Sequence, residues 1–148
     1  MLHLHYLKQV KNNRLITILL FGLVFFLIFK LIYKKKEENA INNSKLTELS
    51  FSIDSTFNLG AISSTNERKF IFFIRNIGIN TLYIGDIHAS CGCTYIKTNK
   101  KKAAISDSIE VMLKINPENK VGKNLIIATI KANTINRNHQ VKIIYNIE

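Results

Sequence analysis

Residues 109–115 read Ile-Glu-Val-Met-Leu-Lys-Ile, an alternation in which every second side chain is a branched aliphatic. Side chains of a β-strand point alternately to its two faces, so this stretch predicts a strand that buries one face and leaves the other wet. The same period of two recurs at residues 51–54 and 141–147. Three separate stretches therefore predict half-buried strands.

Four further runs rich in β-branched and aromatic residues lie between these strands in the sequence, at 68–75, 81–87, 93–97 and 124–132. Turn-forming stretches such as Asn116-Pro117-Glu118-Asn119 separate them. After residue 40 the sequence shows no long amphipathic helix pattern. About seven short strands within residues 48–148 predict an all-β fold, an immunoglobulin-like antiparallel sandwich.

The composition allows one small domain and excludes several classes of protein. The chain has 148 residues, of which 47% are apolar, and two cysteines. This apolar content excludes a disordered chain, and two cysteines are too few for a disulfide-rich mini-protein. The net charge of +11 comes mainly from lysines spread along the chain, whereas specific nucleic-acid readers favour arginine forks and stacked aromatics. We therefore expect no nucleic-acid partner.

Residues 15–33, LITILLFGLVFFLIFKLIY, form one long apolar run. As a helix it reaches about 28 Å, close to the hydrocarbon thickness of a bilayer, and Lys30 can snorkel to the interface. A cleaved signal peptide is the alternative, but bulky residues and three lysines follow the run instead of a small-residue cleavage site. We therefore predict a transmembrane signal anchor in the lipid bilayer at 15–33, between a basic tail at 1–14 and a polar tether at 34–47. The basic residues on its two sides nearly balance, so charge alone leaves the orientation open.

Residues 70–74, Phe-Ile-Phe-Phe-Ile, depart from the alternation because all five are apolar. If Phe70, Phe72 and Ile74 enter the core, Ile71 and Phe73 point outward. A neighbouring loop or the tether would cover them in one interpretation. In the other they are a contact surface for an unknown protein partner, since natural sheets seldom leave such a face bare.

The segment Ala89-Ser90-Cys91-Gly92-Cys93-Thr94 carries the most specific chemistry in the sequence. Two thiols are too few for a structural zinc site, which takes four ligands. Three interpretations remain open. In the first, Cys91 and Cys93 form a strained local disulfide suited to redox chemistry. In the second, they bind a soft metal such as Cu(I) or Zn together with His88. In the third, they are small, partly buried core thiols.

Several motifs resemble the bacterial family known as domain of unknown function 1573. They occur in the family's order over about residues 48–148: Gly60 after a Phe-Asn-Leu stretch, Asn76-Ile77-Gly78 after the aromatic strand, then Ser90-Cys91-Gly92-Cys93-Thr94. The resemblance implies an immunoglobulin-like sandwich of the abnormal-spindle and hydin type. It also implies an exported domain held at the cell envelope, here by the inner membrane, and it supplies no established activity. Ser106-Asp107 replaces the family's frequent Pro-Gly turn, a change that affects the shape of that loop.

The remaining sequence contains no catalytic signature such as H-E-x-x-H, G-x-S-x-G or a glycine-rich phosphate loop. We therefore expect neither enzymatic activity nor a cofactor. The function predicted is that of a membrane-anchored envelope protein whose sandwich is a binding or structural module. The alternative is a thiol-based redox or metal-binding protein that uses Cys91 and Cys93.

Overall fold

The computed structural model describes residues 2–148, and it describes the side chains from Thr17 onward except that of Glu37. The chain divides into two compact units, residues 1–39 and residues 40–148. A single helix, α1, covers Leu2–Asn43, so it is longer at both ends than the predicted span of 15–33. We call residues 40–148 the β-domain.

The first unit is helical and apolar. From Ile18 to Phe29 every large apolar side chain is about half exposed or more. Because these residues follow one another along the helix, they cover its whole circumference. The segment Thr17–Asn43 is long and apolar enough to cross a membrane. Its most apolar 18-residue window has a mean hydropathy of 2.1, and no part of that window is buried. A signal sequence near the N-terminus meets the same criterion.

The β-domain contains nine strands in two sheets. The first sheet has the order β1-β3-β7-β5, and the second has the order β2-β9-β8-β4-β6. The strands are β1 (Leu49–Phe51), β2 (Thr56–Ile62), β3 (Arg68–Asn76), β4 (Leu82–Ala89), β5 (Thr94–Thr98), β6 (Lys102–Ala103), β7 (Ser108–Ile115), β8 (Gly122–Ala132) and β9 (Asn138–Ile147).

Two features correct the predicted sheet. The sequence predicted neither β2 nor the two-residue β6, and the strand predicted at 51–54 is observed as the three-residue β1 at Leu49–Phe51; all three lie at sheet edges. The pairing is antiparallel except for β2, which lies parallel to β9. Short edge strands leave little periodic pattern in a sequence, and a parallel pairing leaves none, since both kinds of ladder have the same alternation of side chains.

The alternating residues of both sheets form one hydrophobic core. Ile109, Val111, Leu113 and Ile115 of β7 are fully buried, and they join inward residues of β3, β4, β8 and β9 in a single cluster. Burial of one such side chain contributes about 1.5–3 kcal/mol. The period of two therefore identified the inner face of the central strands correctly.

Hydrogen bonds hold the chain where it joins the β-domain. The side-chain amide of Asn133, which is almost fully buried, donates to the carbonyl of Lys45 at 2.8 Å. Asn80 Nδ2 donates to the carbonyl of Leu46 at 2.8 Å, and Thr47 N donates to the carbonyl of Asn133 at 3.0 Å. Residues 45–47 are therefore fixed to the β-domain by hydrogen bonds.

Strand pairing gives the β-domain two ends. The proximal end is the one that residues 44–48 join, and register places β1, the end of β3 and the start of β7 there, through the pairs Leu49↔Asn76 and Arg75↔Ser108. The pair Lys131↔Asn138 of β8 and β9 lies at the same end. The distal end holds the opposite termini of these strands.

Candidate functional site

The Cys-Gly-Cys bend links the two sheets at the distal end. It follows β4 in the second sheet and leads into β5 in the first. Ser90 anchors one side of the bend, because its backbone N–H donates to the carbonyl of Ile127 at 2.9 Å and its hydroxyl accepts from Ile127 N–H at 3.0 Å. On the other side, Asn116 N–H donates to the carbonyl of Cys93 at 2.9 Å. The bend is therefore tied to a strand of each sheet.

Cys91 and Cys93 form a disulfide with a Cα–Cα distance of 5.2 Å. The Cys93 N–H donates to Cys91 Sγ at 3.1 Å, and Thr94 N–H donates to the carbonyl of Cys91 at 3.2 Å. Both cysteines are partly buried, while Gly92 at the apex is exposed, and Cys91 packs against the hydrophobic core. Of the three interpretations open from the sequence, the structure has the local disulfide.

His88 does not join the two cysteines. Within β4, Ile87 and Ala89 pack against the core, so His88 between them faces outward, and it is exposed beside Thr129 of β8. Among the described residues, no group of three His, Cys, Asp or Glu side chains is placed to hold a metal ion. The proposed ligand set of His88, Cys91 and Cys93 is therefore not assembled in this structure, because strand alternation sends His88 to the opposite face.

Asn76 and Gly78 of the resemblance motif lie at the proximal end. Asn76 is fully buried, and its side-chain amide donates to the carbonyls of Asn80, Ala103 and Ala104 at 2.8–3.2 Å. Its Oδ1 accepts from Thr47 Oγ1 at 3.0 Å and from Gly78 N at 3.2 Å. This one side chain therefore joins three loops, which gives the motif a structural role.

Glycine is required at position 78 by the close approach of residues 47 and 48. A Cβ there would overlap Thr47 Oγ1 and Glu48 N. Gly60, also in the motif, has a φ of +75° at an irregularity in the β2–β9 pairing, a backbone conformation that glycine adopts without strain. Ser90 and Thr94 belong to the bend described above.

Ile71 and Phe73 point outward from the first sheet, as the alternation predicts. Ile71 is 48% exposed and Phe73 is 45% exposed, and on the neighbouring strand they lie opposite Met112 and Glu110. Tyr95 of β5, 59% exposed, lies on the same side. We call Ile71, Phe73, Met112 and Tyr95 the apolar face.

Charged residues surround the apolar face. Lys69 and Lys114 are paired across β3 and β7, and Lys97 of β5 lies opposite Met112. Lys114 also makes an ion pair of 2.9 Å with Glu67. The surround is therefore mainly basic, with Glu67 and Glu110 as its acidic members.

Two further groups were not identified from the sequence. Asn133 lies in the loop between β8 and β9, yet it is buried, and it also donates to the carbonyl of Thr81 and accepts from Tyr83 N–H. His139 forms a 2.7 Å hydrogen bond with Thr134, and burial lowers the pKa of its imidazole below the usual 6.5. Both positions are polar residues in or beside a turn, and a single sequence carries no signal that separates them from solvated ones.

The geometry defines a class: a domain of two mainly antiparallel sheets around one core, in a chain with an N-terminal apolar helix. The family can also be stated. The chain belongs to the family described as "Protein of unknown function (DUF1573)", whose model matches residues 49–147, about two thirds of the chain. No curated protein matches the chain.

Solved structures are similar in fold. A protein of unknown function from Porphyromonas gingivalis W83 aligns with a TM-score of 0.62 and 13% identity, over 70% of this chain and 48% of that one. The secreted serine protease VesC from Vibrio cholerae aligns with a TM-score of 0.53 and 10% identity, over 75% of this chain and 25% of that one. The chain thus spans about half or less of these proteins, and identities this low show the fold alone.

Proposed function

We propose that this chain is a membrane-anchored envelope protein whose β-domain, an immunoglobulin-like sandwich, is a non-catalytic binding module. The observation that carries the proposal is the apolar face, where Ile71 and Phe73 stay about half exposed in the middle of a central strand. A soluble domain normally keeps such a strand face polar, and an exposed apolar group ringed by charge is typical of a protein contact.

The anchor is supported by the energetics of residues 15–33. Fifteen Leu, Ile, Phe and Val residues contribute about −4.5 to −9 kcal/mol in total on the insertion scale, against a cost of up to about 3 kcal/mol for Lys30. The net insertion energy is therefore favourable. For orientation we propose the β-domain on the exported side, since a disulfide such as Cys91–Cys93 persists in oxidising compartments.

Membrane fractionation of the full chain tests the anchor. We expect the wild type to stay with the membranes through an alkaline carbonate wash. The double variant Leu20→Lys, Phe25→Lys adds about 5–7 kcal/mol of insertion cost and should release the chain into the soluble fraction. A reporter fused after residue 148 should be active only on the exported side. Extraction of the wild type by carbonate contradicts the anchor, and reporter activity in the cytoplasm contradicts the orientation.

Site-specific photo-crosslinking in the producing cells tests the apolar face. A photoreactive residue at position 73 should yield a discrete protein adduct, and Ile71→Ser should abolish it. Leu125 is the matched control, because it is 51% exposed on a strand of the second sheet. Equal adducts at both positions, or none at position 73, would exclude the apolar face as a binding surface.

A second candidate function is favoured by the Cys91–Cys93 disulfide. A dithiol on a partner protein would reduce it, leaving two thiols here and a disulfide in the partner, with two electrons and two protons transferred. Mass spectrometry of the full chain provides the test. The species should gain two hydrogen atoms on mild reduction, and the Cys91→Ser, Cys93→Ser variant should not. A disulfide that resists a dithiol reductant in the folded chain excludes this function.

A further inference from the structure

Five large aliphatic side chains are exposed in the loops of the proximal end. Ile79 is 83% exposed, Ile135 82%, Ile105 60%, and Leu46 and Ile77 54% each. They come from four separate segments, residues 44–48, 77–81, 104–107 and 133–137. We call these five residues the proximal apolar cluster.

Hydrogen bonds place these four segments together. Asn80 in the second segment holds the carbonyl of Leu46 in the first. Asn76 holds the carbonyl of Ala104 in the third, and Asn133 in the fourth holds the carbonyl of Lys45. The cluster therefore lies at one end of the β-domain, on loops joined by the side chains of Asn76, Asn80 and Asn133.

The distal end differs in this respect. Its connecting loops cover residues 63–67, 90–93 and 116–121. Among their described side chains, Val121 is the one large apolar residue that is exposed, at 85%. Loops are normally polar, so an exposed aliphatic cluster confined to one end indicates that this end contacts an apolar phase.

The length of chain between the apolar run and the proximal end indicates that this apolar phase is the membrane. Tyr33 ends the apolar run of residues 15–33, and residues 45–47 are already fixed to the proximal end. The segment from Tyr33 to Lys45 is twelve residues, which span at most about 40 Å fully extended and about 18 Å as a helix. An anchored chain therefore keeps its proximal end within about 40 Å of the end of the membrane span.

Basic residues accompany the cluster. Lys34, Lys35 and Lys36 follow the apolar run, and Lys45 and Arg137 are exposed in the joining segment and in the loop that carries Ile135. Arg137 also donates a 2.7 Å hydrogen bond to Asn42. Cations next to apolar side chains suit an interface with anionic lipid headgroups.

We infer that the proximal apolar cluster inserts into the headgroup region of the membrane that anchors the chain. The inference rests on the anchor in the proposed function. The membrane then contacts the β-domain at the loops carrying Leu46, Ile77, Ile79, Ile105 and Ile135, and the distal end with its disulfide faces away from the lipid. The apolar face on the first sheet, between the two ends, remains open to a partner.

Tryptophan quenching by brominated lipid tests this insertion, because the chain contains no Trp. The full chain is reconstituted in vesicles of phosphatidylethanolamine and phosphatidylglycerol that contain dibrominated phosphatidylcholine. The variants are Ile79→Trp and Ile135→Trp at the proximal end, with Val121→Trp as the distal control of matched exposure. Trp itself favours the membrane interface, and the control carries the same bias. Phe25→Trp reports on insertion of the helix.

We expect the two proximal variants to lose roughly half of their fluorescence or more, and the Val121→Trp variant to lose little, since headgroup insertion reaches about 5–10 Å into the bilayer boundary. Quenching of Phe25→Trp with proximal variants no more quenched than Val121→Trp overturns the inference and leaves the anchor intact. An unquenched Phe25→Trp removes the anchor and the inference with it. A blue-shifted but unquenched proximal Trp shows that protein covers the cluster, and it also overturns the inference.

Discussion

Replacing Asn76 with alanine tests whether one buried amide holds the proximal end together. The side chain is fully buried and makes five hydrogen-bond contacts: its two amide hydrogens reach three carbonyls, one hydrogen being shared, and its Oδ1 accepts from Thr47 Oγ1 and Gly78 N. Alanine removes all of them: Gly78 N keeps its contact with the carbonyl of Glu48 and the carbonyl of Ala104 keeps the bond from Asp107 N, while the Thr47 hydroxyl loses the bond that it donates. Each satisfied bond contributes about 0.5–1.5 kcal/mol and each buried orphan costs about 1–3 kcal/mol.

The carbonyl of Asn80 can recover a bond to water, because its contact with Asn76 is only part-buried. With about 1–1.5 kcal/mol for each of the two buried contacts, to Thr47 and Ala103, and about 0.5 kcal/mol for each of the other three, we expect the free energy of unfolding to fall by about 3–5 kcal/mol. This is a large part of the 5–15 kcal/mol that typically stabilises a domain.

The assay is urea unfolding of the full chain in detergent micelles, followed by near-ultraviolet circular dichroism. Asn58→Ala is the control, because Asn58 makes one hydrogen bond, to Gly60 N–H, at an exposed site, and its loss should cost about 1 kcal/mol or less. A loss below about 1 kcal/mol for Asn76→Ala would refute the view that this amide organises the loops.

Three further predictions concern Gly78, His139 and the disulfide. Gly78→Ala places a Cβ against Thr47 Oγ1 and Glu48 N, so it should lower the free energy of unfolding by about 2 kcal/mol or more. Gly92→Ala is the control, because a Cβ there meets nothing within 4 Å, and it should be near neutral in the same urea titration. Burial lowers the pKa of His139 below 6.5, so the unfolded chain binds this proton more readily, and stability should fall as the pH drops through about 6.5. His139→Gln should flatten that part of a pH series of urea midpoints, and an unchanged slope contradicts the assignment. The Cys91→Ser, Cys93→Ser variant should fold with a modest loss of stability, since the bond closes a very short loop; thermal unfolding measures it, and complete loss of the folded state would contradict this estimate.

How far the sequence predicts this structure depends on whether a feature is local. The buried face of β7, the outward direction of Ile71 and Phe73 and the apolar helix all follow from spacing within one segment, and the structure agrees with each. The strand count and the parallel β2–β9 pair were not predictable in this way. A strand as short as β6 has too few residues for a period, and the alternation of β2 is interrupted at Gly60. Parallel or antiparallel pairing depends on chain segments far apart.

The candidate site shows the same division. The sequence pointed to Cys91 and Cys93 and left three interpretations open, and in the structure the two cysteines form a disulfide. Sequence analysis grouped His88 with them because the three residues are close in the chain. Strand alternation then separated His88, since one position along a strand reverses the face.

The sequence by itself determined that an apolar helix precedes a domain of half-buried strands, because both patterns are read from neighbours along the chain. Only the tertiary structure decided that Asn133 donates a hydrogen bond to the carbonyl of Lys45, 88 residues away. It also decided that five exposed aliphatic residues from four loops lie at the same end of the β-domain. The physical reason is that strand register brings distant segments together. The long-range hydrogen bonds that fasten them, such as those of Asn76 and Asn133, come from polar residues whose burial no local pattern reveals.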